Sequence, residues 1–205
     1  MNFLEFRSHL FNLVCFNTNQ VYAFDPSFDK NNLTNWVKKG YILKLRQAYY
    51  TFPEYLRESG FSFYLANKIY RPSYISLHSA LSFYGIIPES VTTITSVSTL
   101  KTVEFVNDFG RYTYNSVKET SYFGYVIKTT GNGRNFYIAE PEKALLDLLY
   151  LYPFYKKEID FIDLRFDFDF LHDELDVEKL QLYSQKFGII QLDKRISKFL
   201  KAYEL

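Results

Sequence analysis

At the start of the chain the apolar positions change period within a few dozen residues. In FLEFRSHLFNLVCF, residues 3–16, Phe3, Phe6, Leu10, Leu13 and Val14 fall at helical spacing and predict a helix with one buried face. Asn17-Thr18-Asn19-Gln20 follows, rich in side chains that cap helices, and leads into the apolar run Val21 to Phe24 as a second helix. Asp25-Pro26-Ser27 breaks the chain. Ser27 or Asp29 can then cap a third helix through Leu33, Trp36 and Val37, and Gly40 stands where a helix C-cap favours glycine. After Gly40 the period shortens: Ile42–Lys44 and Ala48–Phe52 predict two strands paired across Arg46-Gln47.

Three helices and a ribbon in this order are the order of a winged helix-turn-helix. In that arrangement a recognition helix enters the DNA major groove and the ribbon sets cations against the phosphate backbone. The polar face of the third helix offers Asn31, Asn32, Thr34, Asn35, Lys38 and Lys39 as candidate DNA contacts. Asn can pair bidentately with adenine, and Lys can reach guanine or phosphate. Lys44 and Arg46 are the candidate wing cations. A helical hairpin and ribbon used for protein contact would carry the same pattern, with its charges only solvating a surface.

Pro53 to Gly60 reads as a short linker, so the expected division is residues 1–58 and 59–205. In the second part Ser62–Ile69 is helical, and Ser73–Leu81 begins another helix that ends near Gly85. Residues 92–97, 102–106, 112–117, 122–128 and 136–138 read as strands, with turns at Asn107–Gly110 and Gly131–Gly133. Glu140-Pro141 opens a helix whose buried face is Ala144, Leu145, Leu148 and Leu149. Arg165–Phe170 alternates like an edge strand, and helices at about 176–187 and 191–203 close the chain. The expected fold class is α+β: a winged helix, then a mixed α/β domain with a mainly antiparallel sheet and C-terminal helices.

Composition narrows the chemistry. Phe and Tyr number 21 and 19 in 205 residues; they could serve as stacking platforms for nucleotides, but their even spread favours core filling. Net charge is +1, so no global field draws the chain to nucleic acid or membrane. Locally the balance is +3 over residues 1–52 and −7 over residues 158–176. Cys15 is the single cysteine, which excludes an intramolecular disulfide and a thiolate metal cluster and fits a cytoplasmic compartment. No secretory leader and no membrane span are legible.

There is no phosphate loop of the GxxxxGK[ST] type and no dinucleotide fingerprint. His9, His78 and His172 stand far apart, outside any metal motif, and the acids of 160–176 lack calcium-loop spacing, which suits a solvated face or a contact for a basic protein. Glu140, Glu142 and Asp147 share one helix, where the helix dipole accounts for the first two, and Arg134 is placed to pair with them. No catalytic residue, metal or cofactor is expected.

Four stretches together resemble one family: the N-terminal helices with GYILKLRQAYY, then LANKIYRPSYISLHSALSFYGIIPES, then the strand-rich middle, then YIAEPEKALLDLLY. The chain resembles, over about residues 5–155, the AbiEi antitoxins, the antitoxin and transcriptional-regulator half of type IV toxin–antitoxin (abortive infection) pairs. The most specific parts are Tyr74-Ile75-Ser76 with Ser79-Ala80-Leu81, and Ala139–Asp147. The resemblance implies a winged helix that binds inverted repeats in its own promoter, as a possible dimer on DNA, and a C-terminal domain with antitoxin activity. It also implies a nucleotidyltransferase-like toxin as partner, met functionally or by contact, and no catalytic role. Carried over, the DNA-facing positions are Asn31–Lys39, Lys44 and Arg46. An interaction module that neutralises such a toxin without binding DNA is the alternative. The family's ribbon commonly has Gly before its Tyr; here Ala48 precedes Tyr49, which predicts a tighter or shifted turn.

Overall fold

Asn2 starts the first helix, α1 (Phe3–Leu10): its side chain accepts from the Glu5 backbone N–H while Glu5 accepts from that of Asn2. The computed structural model describes residues 1–89 and 91–205. The predicted helix over 3–16 ends early. A short 3₁₀ turn at Phe11–Leu13 and a left-handed Val14 (φ +67°) lead into strand β1 (Cys15–Asn17). Three strand residues carry too little periodicity to be read; β1 exists because a partner strand waits 33 residues or so downstream. Asn17 then caps α2 (Thr18–Phe24) reciprocally with Gln20.

The third helix, α3 (Asn31–Lys38), starts beneath Asp29, whose carboxylate accepts from the Asn31 N–H at 2.9 Å. It ends in two C-terminal hydrogen bonds, Gly40 N–H to the Val37 carbonyl and Tyr41 N–H to that of Trp36, with Gly40 left-handed at φ +70°. Strands β2 (Leu43–Arg46) and β3 (Tyr49–Thr51) follow. Their register pairs Leu43 with Thr51 and Arg46 with Tyr49 across a bulge, so the turn falls at Gln47-Ala48 instead of Arg46-Gln47. Ala48 takes the left-handed conformation (φ +63°) that glycine adopts without cost, which accounts for the shift. β3 also pairs antiparallel with β1, giving the order β1-β3-β2.

The stretch read as a linker is packed. Phe52 and Tyr55 are buried, and the Tyr55 hydroxyl donates to the Phe11 carbonyl at 2.7 Å. Beyond it come α4 (Phe61–Ile69), β4 (Ser73–Ile75), α5 (Leu77–Phe83), β5 (Thr93–Ser98), β6 (Val103–Asn107), β7 (Gly110–Ser116), β8 (Tyr125–Thr129) and β9 (Asn135–Ala139). The helix expected over 73–81 is therefore a strand followed by a helix. All three residues of β4 are buried, as a strand in the middle of a sheet requires, and such a run cannot be told from a buried helix by period. The sheet order is β6-β7-β5-β4-β9-β8, with antiparallel ladders β6/β7, β5/β4 and β9/β8 and parallel ladders β7/β5 and β4/β9. It is a mixed sheet in which three of the five ladders are antiparallel.

Five helices close the chain: α6 (Pro141–Leu151), α7 (Glu158–Ile162), α8 (Phe168–Asp173), α9 (Val177–Phe187) and α10 (Ile190–Ala202). No edge strand forms at 165–170. Arg165 is left-handed (φ +49°) and Asp167 caps α8 by accepting from the Phe170 N–H at 2.8 Å, so capping outcompetes the alternation of Phe and Asp. The architecture is α+β: helices with a three-stranded antiparallel sheet, a six-stranded mixed sheet and C-terminal helices. No described helix is long and apolar enough to cross a membrane.

Helix α6 is buried on nearly all sides. Ala144, Leu145, Leu148 and Leu149 lie in the core as predicted, but so do Lys143 and Asp147. These two form an ion pair one turn apart. Asp147 also accepts from the hydroxyls of Tyr74 (3.0 Å) and Ser76 (2.8 Å), and the Lys143 ammonium donates to Tyr74 (2.9 Å) and faces the rings of Phe123 and Phe187. Burial lowers the Lys143 pKa, and Asp147 opposes that shift. The pair ties α6 to β4, so Lys143→Met strands a carboxylate in the core. It is expected to cost about 3–5 kcal/mol in urea unfolding, with part regained in Lys143→Met/Asp147→Leu. Equal stability of Lys143→Met and the parent protein would contradict this account.

Candidate nucleic-acid interface

Helix α3 divides cleanly into two faces. Leu33 and Trp36 are buried and Val37 is half-buried, whereas Asn31, Thr34, Asn35, Lys38 and Lys39 are exposed and Asn32 is half-buried. Trp36 anchors the inner face: its ring lies 4.6 Å from Phe6, 5.2 Å from Phe3 and 5.7 Å from Phe28, centroid to centroid. Asn31, Thr34, Asn35 and Lys38 follow the i, i+3, i+4, i+7 row, so they form one polar stripe along the outside. Among the described residues Lys38, Lys39 and Lys44 enter no ion pair, and Lys30, at the head of the helix, is exposed as well. The stripe can donate and accept hydrogen bonds and is flanked by free ammonium groups.

Arg46 is placed differently from the other candidates. Its guanidinium lies over Tyr49 at 4.3 Å and over Phe105 of β6 at 5.5 Å, and its Nε is closed off from solvent without a partner. Here β2 runs against β6, and the Asn107 amide donates to the Leu45 carbonyl at 3.1 Å. Arg46 thus sits in the junction between the two sheets, while Lys44 on the same strand remains exposed.

The sequence pattern missed a second polar region beside this one. Because Asn17 pairs with Tyr49 and the Thr18 N–H donates to the Ala48 carbonyl (3.1 Å), the start of α2 lies next to the β2–β3 turn. Lys68 and Arg71, from the end of α4 and just beyond it, line a cavity of about 300 Å³ with Asn17, Gln20 and Tyr49. The only sequence signal for this was two cations three residues apart before Pro72.

Other candidate groups have structural partners. Arg134 pairs with Glu58 (2.7 and 2.9 Å), which holds the Glu58 carboxyl below its ordinary pKa, and not with the acids of α6. The 131–133 turn carries Arg134 back over Tyr55, away from α6. Glu140 and Glu142 instead take Lys179 of α9 at 2.9 and 3.1 Å. In the acidic segment Asp160, Asp167 and Asp176 accept from backbone N–H groups at the starts of α7, α8 and α9. His78 is packed near Tyr152, and burial lowers its pKa.

No family model and no curated protein matches the chain.

The C-terminal stop of α3 fixes where Lys38 and Lys39 emerge. A Cβ on Gly40 would meet nothing within 4 Å, so Gly40→Ala tests backbone conformation alone. It is expected to lower stability by about 1 kcal/mol in thermal unfolding, because an L-residue is disfavoured at this positive φ. An unchanged melting temperature would show that the chain leaves α3 by another path.

Proposed function

We propose that this protein is a DNA-binding antitoxin that represses its own promoter, with residues 1–58 as a winged helix-turn-helix and residues 59–205 as the antitoxin domain. The observation that carries the DNA half is the outward stripe of Asn31, Thr34, Asn35, Lys38 and Lys39 on a helix whose opposite face is anchored by Trp36. The element order supports the same reading: helix, strand, helix, helix, strand, strand, with the last strand between the other two. In it α2 and α3 are the helix pair, α3 is the recognition helix, and β2–β3 is the wing. An operator of inverted repeats would take two copies. The antitoxin half rests on the resemblance carried by residues 73–81 and 139–147, and its partner would be a nucleotidyltransferase-like toxin.

Affinity in this reading comes from few cations. Lys38, Lys39 and Lys44 are the free ones at the helix and wing, so binding should be modest and fall with salt as counterions are released. The position of Arg46, spent on the contact with Tyr49 and Phe105, favours the second reading, a module that neutralises its toxin without touching DNA.

The two readings part in one experiment. The parent protein should retard a fragment of its own promoter at low salt and release it as salt rises. Lys38→Glu/Lys39→Glu should abolish retardation, leave the protein folded with a melting temperature lowered only slightly by two carboxylates at a helix C-terminus, and leave relief of toxin-induced growth arrest intact. No retardation by the parent protein at any salt would sink the DNA half. Loss of toxin relief in the folded double variant would sink the division of labour between the domains.

A further inference from the structure

Lys68 and Arg71 line a second, larger cavity of about 740 Å³ on their other side. Its wall includes Asn67, Ser73, Tyr122, Tyr125, Asn135 and Tyr137 and contains no Asp or Glu. Neither cation forms an ion pair among the described residues; the Arg71 Nε–H donates only to the Asn67 carbonyl, at 3.0 Å. Lys68 is half-buried, and both burial and the neighbouring Arg71 hold its pKa below the ordinary lysine value. A half-buried cation and an exposed one thus line the same cleft with no carboxylate on its wall, and Lys68 is the one whose charge burial disfavours until an anion enters.

The aromatic wall adds a second requirement for the ligand. Tyr125 is braced by Tyr74, with ring centroids 4.9 Å apart and planes 16° from parallel, and meets Tyr137 edge-on at 5.8 Å. The Tyr137 ring is partly exposed beside the cations. A bare inorganic anion would leave these rings unused, and a duplex presents its backbone with the bases stacked inside. A ligand that carries a phosphate and a free planar base uses both. The cavity volume suits a ligand of that size.

We propose that this cleft is a nucleoside-phosphate site, with Lys68 and Arg71 holding the phosphate and the Tyr125–Tyr137 wall receiving the base. The site is independent of the DNA-binding reading, because its walls come mainly from α4, β8 and β9. Its closeness to the start of α2 and the β2–β3 turn would let an occupant bear on the N-terminal unit.

Isothermal titration calorimetry of the full chain with the four ribonucleoside 5′-monophosphates, adenosine and inorganic phosphate tests this. At least one monophosphate should bind more tightly than adenosine or phosphate. Lys68→Gln/Arg71→Gln should weaken that binding by about tenfold or more, as expected for losing charge-assisted hydrogen bonds, while the variant still unfolds in one cooperative thermal transition. Tyr137→Ala should weaken the nucleotide but not inorganic phosphate. The proposal is overturned if no monophosphate binds saturably, if the double variant binds as the parent does, or if phosphate alone binds as well as every nucleotide. It is equally overturned if the double variant loses only promoter retardation, for the pair would then serve a duplex backbone.

Discussion

The packing of Trp36 against Phe6 is the constraint on which the N-terminal unit depends. Phe6 is fully buried and lies within 6.3 Å, centroid to centroid, of Phe16, Phe28, Trp36 and Phe52. These rings come from α1, β1, the α2–α3 connection, α3 and the end of the ribbon, so one side chain ties five segments of the unit together. Aromatic pairs of this kind add directional preference to area burial, which fixes the rotation of α3 about its own axis. Once Trp36 and Leu33 are turned inward, the helix period leaves Asn31, Thr34, Asn35 and Lys38 no other direction than outward. The polar face turned outward is thus a consequence of the core behind it.

The same logic governs the charges. Among the described residues Lys38, Lys39 and Lys44 on the outer face of α3 and β2 enter no ion pair, whereas Arg7 of α1 pairs with Glu54 at 2.9 Å and Arg46, one residue from the turn, is held between two rings. Three acids of the C-terminal acidic segment, Asp160, Asp167 and Asp176, stand at helix starts, where each accepts from a backbone N–H group. The buried Lys143–Asp147 pair is different again. Its members complete each other's hydrogen bonds with Tyr74 and Ser76, so a pattern otherwise belonging to a solvated helix face lies in the core.

The connection between the halves shows why linkers are hard to read from sequence. Pro53–Gly60 has the punctuation of a flexible segment, yet Tyr55 stacks on Phe61 with planes 10° apart, and Arg134 bridges back to Glu58 from the distant 131–133 turn. Junction contacts also draw β2 toward β6. The cleft at Lys68 and Arg71 is a product of this docking, since its two cavities borrow walls from α2, β3, α4, β8 and β9.

Local chemistry was legible in the sequence. The cap at Asn17, the Gly40 stop, the inner positions of α3, the turns at 107–110 and 131–133, the proline start of α6 and the last two helices all follow from side chains acting on their own neighbourhood. These interactions span a few residues, so composition and period report them directly. Tertiary structure alone decided the rest. The three-residue strand Cys15–Asn17 forms only because β3 is there to pair with it, and β4 extends because two strands flank it. Lys143 and Asp147 go inside because Tyr74 and Ser76 meet them there, and Arg46 turns inward because Phe105 arrives beside it. For the strands, the buried pair and Arg46 the deciding partner lies far along the chain, and a periodic pattern holds no information about which distant surface will cover it.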